Sequence, residues 1–209
     1  MNKDNVYASL VSIRDLMDEN KNYLVKLDQK FGDGDLGISM SEGFNSLVNN
    51  FPENETDIGK IFMILARDLN EAAPSSLGTI ISFFIVGIAK NLKGKEEFDL
   101  EELIKALRSG ANNIKKKANS KKGEKTILDS LEPAIESMES TQKSDLKDYN
   151  KVLETAMEVA KEGSENTKNM RAVHGRAAYH NEKTLGSIDG GSFVGFLIFK
   201  GIYESIEND

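Results

Sequence analysis

Three aspartates, Asp28, Asp33 and Asp35, crowd into the stretch LDQKFGDGDLGISM (27–40), interleaved with Gly32, Gly34 and Gly37. Like charges so close repel one another unless a cation joins them. Carboxylates are hard oxygen ligands, suited to magnesium or calcium rather than to softer metals. An EF-hand loop needs D-x-[DN]-x-[DN]-G, and from Asp33 the chain reads DGDLGI. Gly37 then falls at the third ligand place and Ile38 at the required glycine, so that loop is excluded. If the GDGD turn folds back over the end of a preceding helix, all three carboxylates converge. Magnesium in such a place keeps waters and completes its shell with phosphate oxygens. Spacing alone leaves two readings open, a magnesium–nucleotide site and a solvated, glycine-rich turn between helices.

A second stretch bears on phosphate. PSSLGT (74–79) sets Ser75, Ser76 and Gly78 at the start of a long apolar segment. Free N–H groups at a helix N-terminus, with hydroxyls beside them, bind anions. Ordinary N-capping by either serine is the competing reading. No G-x-x-x-x-G-K-[ST] is present and no G-x-G-x-x-G follows a strand, so neither a P-loop nor a Rossmann site is built here.

The elements that must position these residues read as helices. Val6, Leu10, Ile13 and Met17 recur at spacings of three and four, as do Leu100, Leu103, Leu107 and Ile114. Asp99 and Glu102 form a D-x-x-E start signal. Val152, Ala156 and Val159 repeat the pattern, with Gly163 as a stop. The spacing predicts about eight helices, at 4–19, 21–31, 37–50, 56–71, 76–92, 99–117, 125–140 and 149–172, with a ninth at 191–206. No strand-like alternation bounded by hairpin turns appears, so the class is all-α. Short connections favour antiparallel neighbours and an up-and-down bundle or barrel. Glycine-bearing polar turns at 32–37, 74–78, 120–126 and 175–191 could then share one end and build one site.

Composition narrows the function classes. The 209 residues suffice for one sizeable core, and a single domain over 1–209 is expected. A formal charge of −7 argues against nucleic acid or anionic membrane as partner. The lysine-rich KKKANSKKGEK (115–125) reads as a solvated helix end and loop. Cysteine is absent, which removes thiol nucleophiles, disulfides and Cys-based zinc sites and fits the cytoplasm. MNKDNVYASL lacks a secretory apolar region, and TIISFFIVGIA (79–89) is too short to span a bilayer. His174 and His180 lie at polar positions and read as solvated or structural, not as a phosphohistidine relay.

Three stretches together, LDQKFGDGDLGISMSEGF (27–44), KKGEKTILDSLEPA (121–134) and GRAAYHNEKTLGSIDGGS (175–192), resemble the L subunit of dihydroxyacetone kinase, the DhaL or DAK2-domain family. The resemblance implies an up-and-down barrel of eight helices with a nucleotide, ADP or ATP, at one end. It implies that Asp28, Asp33 and Asp35 hold two magnesium ions on the nucleotide phosphates, with Ser75 or Ser76 of the 74–79 loop as a phosphate contact. It places Gly123, Thr126 and Ile127 beside the adenine, Arg176 near the nucleotide, and Asp189 in the loop that closes over it. The implied activity is phosphoryl transfer to a small hydroxyketone bound on a separate K subunit. Stand-alone L subunits of the family hold ADP and are recharged by a phosphocarrier M subunit of a phosphotransferase system, which is the phosphoenolpyruvate-dependent type. Fused enzymes use exchangeable ATP. A chain of this length is expected to need the K partner, and to lie nearer the first mode. Two further readings are a nucleotide-loaded module that signals to a regulator, and the nucleotide domain of a fatty-acid kinase. The chain departs from the family pattern at Leu36, where the family motif reads GDGDHG. It departs again at the AAPSSLG loop, where the family is richer in glycine, and at Gly190, where proline is common.

Overall fold

The computed structural model describes residues 1–142 and 148–207. Helices α1 (Lys3–Glu19), α2 (Lys21–Asp28), α3 (Leu36–Asn49), α4 (Ile58–Ala72) and α5 (Ser76–Asn91) are followed by α6 (Leu100–Ala118), α7 (Leu128–Gln142), α8 (Tyr149–Asn166) and α9 (Gly190–Glu207). Two 3-10 segments, Thr167–Asn169 and Arg176–Thr184, lie between α8 and α9. The chain is all-α, and no strand occurs among the described residues.

Local chemistry explains where the helices begin. At α1 the Asn2 side chain accepts from the Asp4 and Asn5 amides, and Asn5 returns a bond to the Asn2 amide. The expected Asp99–Glu102 pair forms the same reciprocal cap on α6. Asp57, Ser75 and Asp148 each accept an amide proton at the start of α4, α5 and α8.

Packing then closes a ring. Each of α3 to α8 lies against the next helix in sequence, α8 lies against α9, and α9 returns to α1, which packs on α3. Short α2 sits at one end against α3 and α9. Neighbours run antiparallel. Ser109 and Asn113 on α6 donate to the carbonyls of Gly87 and Phe83 on α5, so rising numbers on one helix meet falling numbers on the other. The same reversal pairs Ser9 with Ser205 across α1 and α9. Inside the ring Met17, Leu24, Met40, Leu47, Ile58, Leu69 and Leu131 are wholly enclosed. Each side chain of this kind contributes roughly 1.5–3 kcal/mol by leaving water. No helix among the described residues is long and apolar enough to cross a membrane.

Three helix boundaries differ by three residues or more from those expected, one of them the start of the 125–140 helix, which lies at Leu128. The 21–31 helix ends at Asp28, because the Asp28 carbonyl accepts both the Phe31 and the Gly32 amides and tightens the chain into a turn. The 149–172 helix ends at Asn166, and Gly163 lies inside it rather than at its end. There α8 crosses α7 so closely that a Cβ on residue 163 would run into the Asp129 carbonyl oxygen. Pro133, four residues along α7, has no N–H to give that carbonyl. The glycine is thus a contact residue, as is Gly87, where a Cβ would lie 2.6 Å from the Gly110 Cα of α6.

Gly163→Ala tests this packing. In an exposed helix the change would stabilise, by about 1 kcal/mol. Here overpacking should outweigh it and cost about 1–3 kcal/mol, read as a lower melting temperature. An unchanged or higher melting temperature would return Gly163 to the role of a simple stop.

Candidate functional site

Alternation around the ring puts the 29–35, 73–75, 119–127 and 167–189 connections at one end, as the glycine-bearing turns led us to expect. The acidic turn is the first of them. Gly34 takes φ +79°, a left-handed conformation that glycine adopts without strain. That conformation turns its amide back to donate to Asp28 Oδ2 at 2.7 Å. One carboxylate oxygen from each of Asp28, Asp33 and Asp35 then lies within 4.8 Å of the others. Asp35 occupies the N-cap position of α3, yet its side chain makes no cap hydrogen bond and turns to Asp33 instead. Such a set of hard, charged oxygens suits a magnesium ion.

The electrostatics shows the strain of this crowding. Loss of hydration, and then the neighbouring Asp33 charge, raises the Asp35 pKa above its ordinary value. Asp33 is held below the ordinary range, chiefly by a hydrogen bond from the Arg176 guanidinium. Arg176 forms an ion pair with Asp33 and reaches the cluster from the distant 167–189 connection.

Beside the cluster stand the N-termini of α3 and α5. Ser75 caps α5 by accepting the Gly78 amide at 3.1 Å. It also accepts from Ser39 Oγ at 3.0 Å, one turn along α3 from Asp35. Ser39 was not marked by the sequence pattern, and it ties the 74–79 loop to the first turn of α3, the helix that follows the acidic turn. Ser76 is the exposed first residue of α5. Gly78 is buried where a Cβ would meet the Ala73 carbonyl.

The 119–127 connection is held from below. Asp129 accepts the Gly123 amide at 2.5 Å and the Thr126 amide at 2.7 Å, while Thr126 Oγ1 accepts the Leu128 amide and starts α7. Burial raises the Asp129 pKa. Gly123 is exposed, Thr126 half-buried, and Ile127 buried against Gly195 of α9. Lys125, in the run expected to be solvated, is 5% exposed. Its ammonium donates to the carbonyls of Thr167 at 2.6 Å and Ser187 at 2.5 Å.

The last connection folds back as a clasp. Its two roots are tied by the Asp189 amide on Thr167 Oγ1 at 2.9 Å and by the Gly186 amide on the Lys168 carbonyl. Asp189 itself caps α9, accepting the Ser192 amide at 2.7 Å. His174 pairs with Glu124 at 2.6 Å, and His180 packs its ring on Phe31. Both histidines thus have structural partners, which fits their exclusion from a relay. Arg176 is the clasp residue that enters the acidic cluster.

Leu36 and Gly190 meet directly. Leu36 is buried as the first residue of α3, and a Cβ on Gly190 would run into its Cδ2 atom. Two departures noted separately in the sequence are one contact, between the first turns of α3 and α9.

Asp189 offers a pH test of this end of the fold. Dense surroundings strip its carboxyl group of water and raise its pKa from 3.8 to about 7. The folded state then keeps a proton that the unfolded chain releases above the ordinary carboxylate range. Its contribution to stability is full at low pH and is lost as pH rises towards 7. Asp189→Asn keeps an acceptor for the Ser192 amide and removes the titration. Between pH 5 and 8 the melting temperature of wild type relative to the variant should fall with rising pH, and a constant difference would contradict the assignment.

Residues 30–204 match the family model described as DAK2 domain. The chain is 31% identical over 188 residues to the ADP-binding subunit DhaL of PEP-dependent dihydroxyacetone kinase 1 from Listeria innocua, covering 90% of this chain and 88% of that one. It is 29% identical over 179 residues to the corresponding Escherichia coli subunit, covering 85% of each. Among solved structures, the dihydroxyacetone kinase of C. freundii superposes with a TM-score of 0.74 at 23% identity. That match covers 96% of this chain and 34% of the longer enzyme, so it speaks to the fold. The same enzyme in complex with AMP-PNP and Mg2+ gives 0.73. With the family model matched over most of its length, the chain belongs to the DAK2-domain family.

Proposed function

We propose that this chain is the nucleotide-binding subunit of a dihydroxyacetone-type kinase. It would hold Mg-ADP or Mg-ATP and pass a phosphoryl group to a small hydroxyketone bound on a separate K subunit. The observation that carries this reading is the convergence of three carboxylates not spent on helix capping, beside the N-termini of α3 and α5 and faced by Arg176. Relatives that match this chain over most of their length are named as ADP-binding subunits. A neighbour of the same fold was crystallised with AMP-PNP and Mg2+.

Asp28, Asp33 and Asp35 would hold the metal, two magnesium ions in the fullest reading, and the metal supplies neutralisation of phosphate charge. The protein's own part is positioning. Ser75 Oγ already accepts two hydrogen bonds, so its proton is free to be given to a phosphate oxygen. Ser76 and the first amides of α5 add further donors to an anion. Arg176, beside Asp33 at the cluster, would supply a planar cation to a nucleotide phosphate. Gly123 and Thr126, on the loop fixed by Asp129, would flank the base. Ile127, buried under that loop, would support its floor, and Asp189 would hold the closing loop by capping α9. Recharging by a phosphohistidine-bearing phosphocarrier, in the phosphoenolpyruvate-dependent manner, completes the proposed cycle in the cytoplasm.

Purified protein should retain ADP or ATP in a magnesium-dependent way, measured by equilibrium dialysis with and without a chelator. No binding at millimolar nucleotide and magnesium would refute the proposal. Asp33→Asn should abolish the magnesium-dependent part of binding, while leaving the helical circular dichroism signal unchanged. Retention equal to wild type would remove the acidic cluster from the site.

A further inference from the structure

We propose that Lys125 is a positioning residue of this site, closing the base of the 167–189 clasp and fixing it in register with the 119–127 loop around a bound nucleotide. The inference rests on the nucleotide-binding reading above and deepens it.

Lys125 differs from the lysines around it. Lys122 pairs with Glu136 of α7 at the surface and half-buried Lys115 pairs with the Glu132 carboxylate, whereas Lys125 is itself buried and bonds to backbone carbonyls. Its backbone takes φ +60°, a left-handed conformation that strains a residue bearing a side chain. Glycine would sit there without that cost, so a lysine must be offset by what its side chain does. The ammonium bridges the carbonyls of Thr167 and Ser187, the two roots of the clasp. These are charge-assisted bonds with little competing water. Burial lowers the Lys125 pKa, and the nearby carboxyl groups of Asp189 and Asp129 work against that shift. Asp129 also grips the backbone on both sides of Lys125, through Gly123 and Thr126. The ammonium therefore projects from a fixed point.

Beyond its roots the clasp returns to the same neighbourhood. The Val173 amide donates to the Glu124 carbonyl, and His174 pairs with the Glu124 side chain. Arg176 reaches Asp33. A nucleotide lying between the acidic turn and the 119–127 loop would be crossed by this segment, so release requires the clasp to open. The Lys125 ammonium bonds to the carbonyls of Thr167 and Ser187, not to the acidic cluster or Arg176. It acts through the hinge.

The test compares Lys125→Met, Lys125→Gly and Lys125→Arg in the full chain. Release of a fluorescent ADP analogue from the magnesium complex is followed by stopped flow, and amide exchange is followed across residues 170–186 and the helices. Met and Gly variants should release ADP about tenfold faster or more, the size expected for losing a charge-assisted hydrogen bond. Exchange should rise in 170–186 and stay unchanged in the helices, and Arg should restore part of both. The Gly variant carries the test if Met fails to fold, because the backbone angle suits glycine. Unchanged release and exchange, or changes that merely follow loss of protection in the helices, would overturn the proposal. If wild type retains no nucleotide, the functional reading fails by itself, and exchange in 170–186 alone decides the role of Lys125.

Discussion

The constraint on which the structure depends is the closure of α1 against α9. Without it the helices would form an open sheet of neighbours with an exposed apolar face at each edge. Closure needs the two backbones to come close. At Gly201 a Cβ would lie 2.5 Å from Ile13 Cγ1, so a larger residue would hold the edges apart. Once the ring is shut, antiparallel order sends alternate connections to opposite ends. Four connections far apart in sequence then share one end as a matter of geometry. The site is a product of topology first and of side-chain chemistry second.

At that end the acidic residues divide by what their oxygens already do. Asp129 gives both oxygens to backbone amides and so behaves as part of the scaffold. Asp189 accepts the Ser192 amide, and its carboxyl group is stripped of water. Both are carboxylates turned into joints. In the Asp28–Asp33–Asp35 cluster the Gly34 amide takes one oxygen, the Arg176 guanidinium faces another, and Asp35 makes no cap bond. Negative charge left unspent in a chain already at −7 is costly, and it is the physical mark that separates a ligand set from ordinary capping acids.

Regular elements were legible because burial repeats with the helix. Val6, Leu10, Ile13 and Met17 are all in the core, as are Leu100, Leu103, Leu107 and Ile114. The Asp99–Glu102 cap, local by nature, formed as its spacing implied. The acidic turn was legible too, since its three carboxylates lie within a few residues. What failed was anything decided by a remote partner. A glycine that ends a helix and one that lets two helices touch share a letter, so Gly163 was misplaced. Lys125 looked like its solvated neighbours, since the carbonyls that bury it belong to Thr167 and Ser187. Ser39 carried no signal because its partner, Ser75, lies on another helix. The 3-10 segment Arg176–Thr184 has no apolar period to announce it.

The Leu36–Gly190 contact bears on which side chains the two positions can hold together. Adding a side chain at 190 alone forces it into the leucine, and shortening 36 alone leaves a gap in a closely packed seam. What residue 190 can hold is therefore set by the leucine at 36, and a larger residue at 190 needs a smaller or differently placed one at 36. The start of α9 is thereby fixed against the start of α3, and with it the distance between the last connection and the acidic turn.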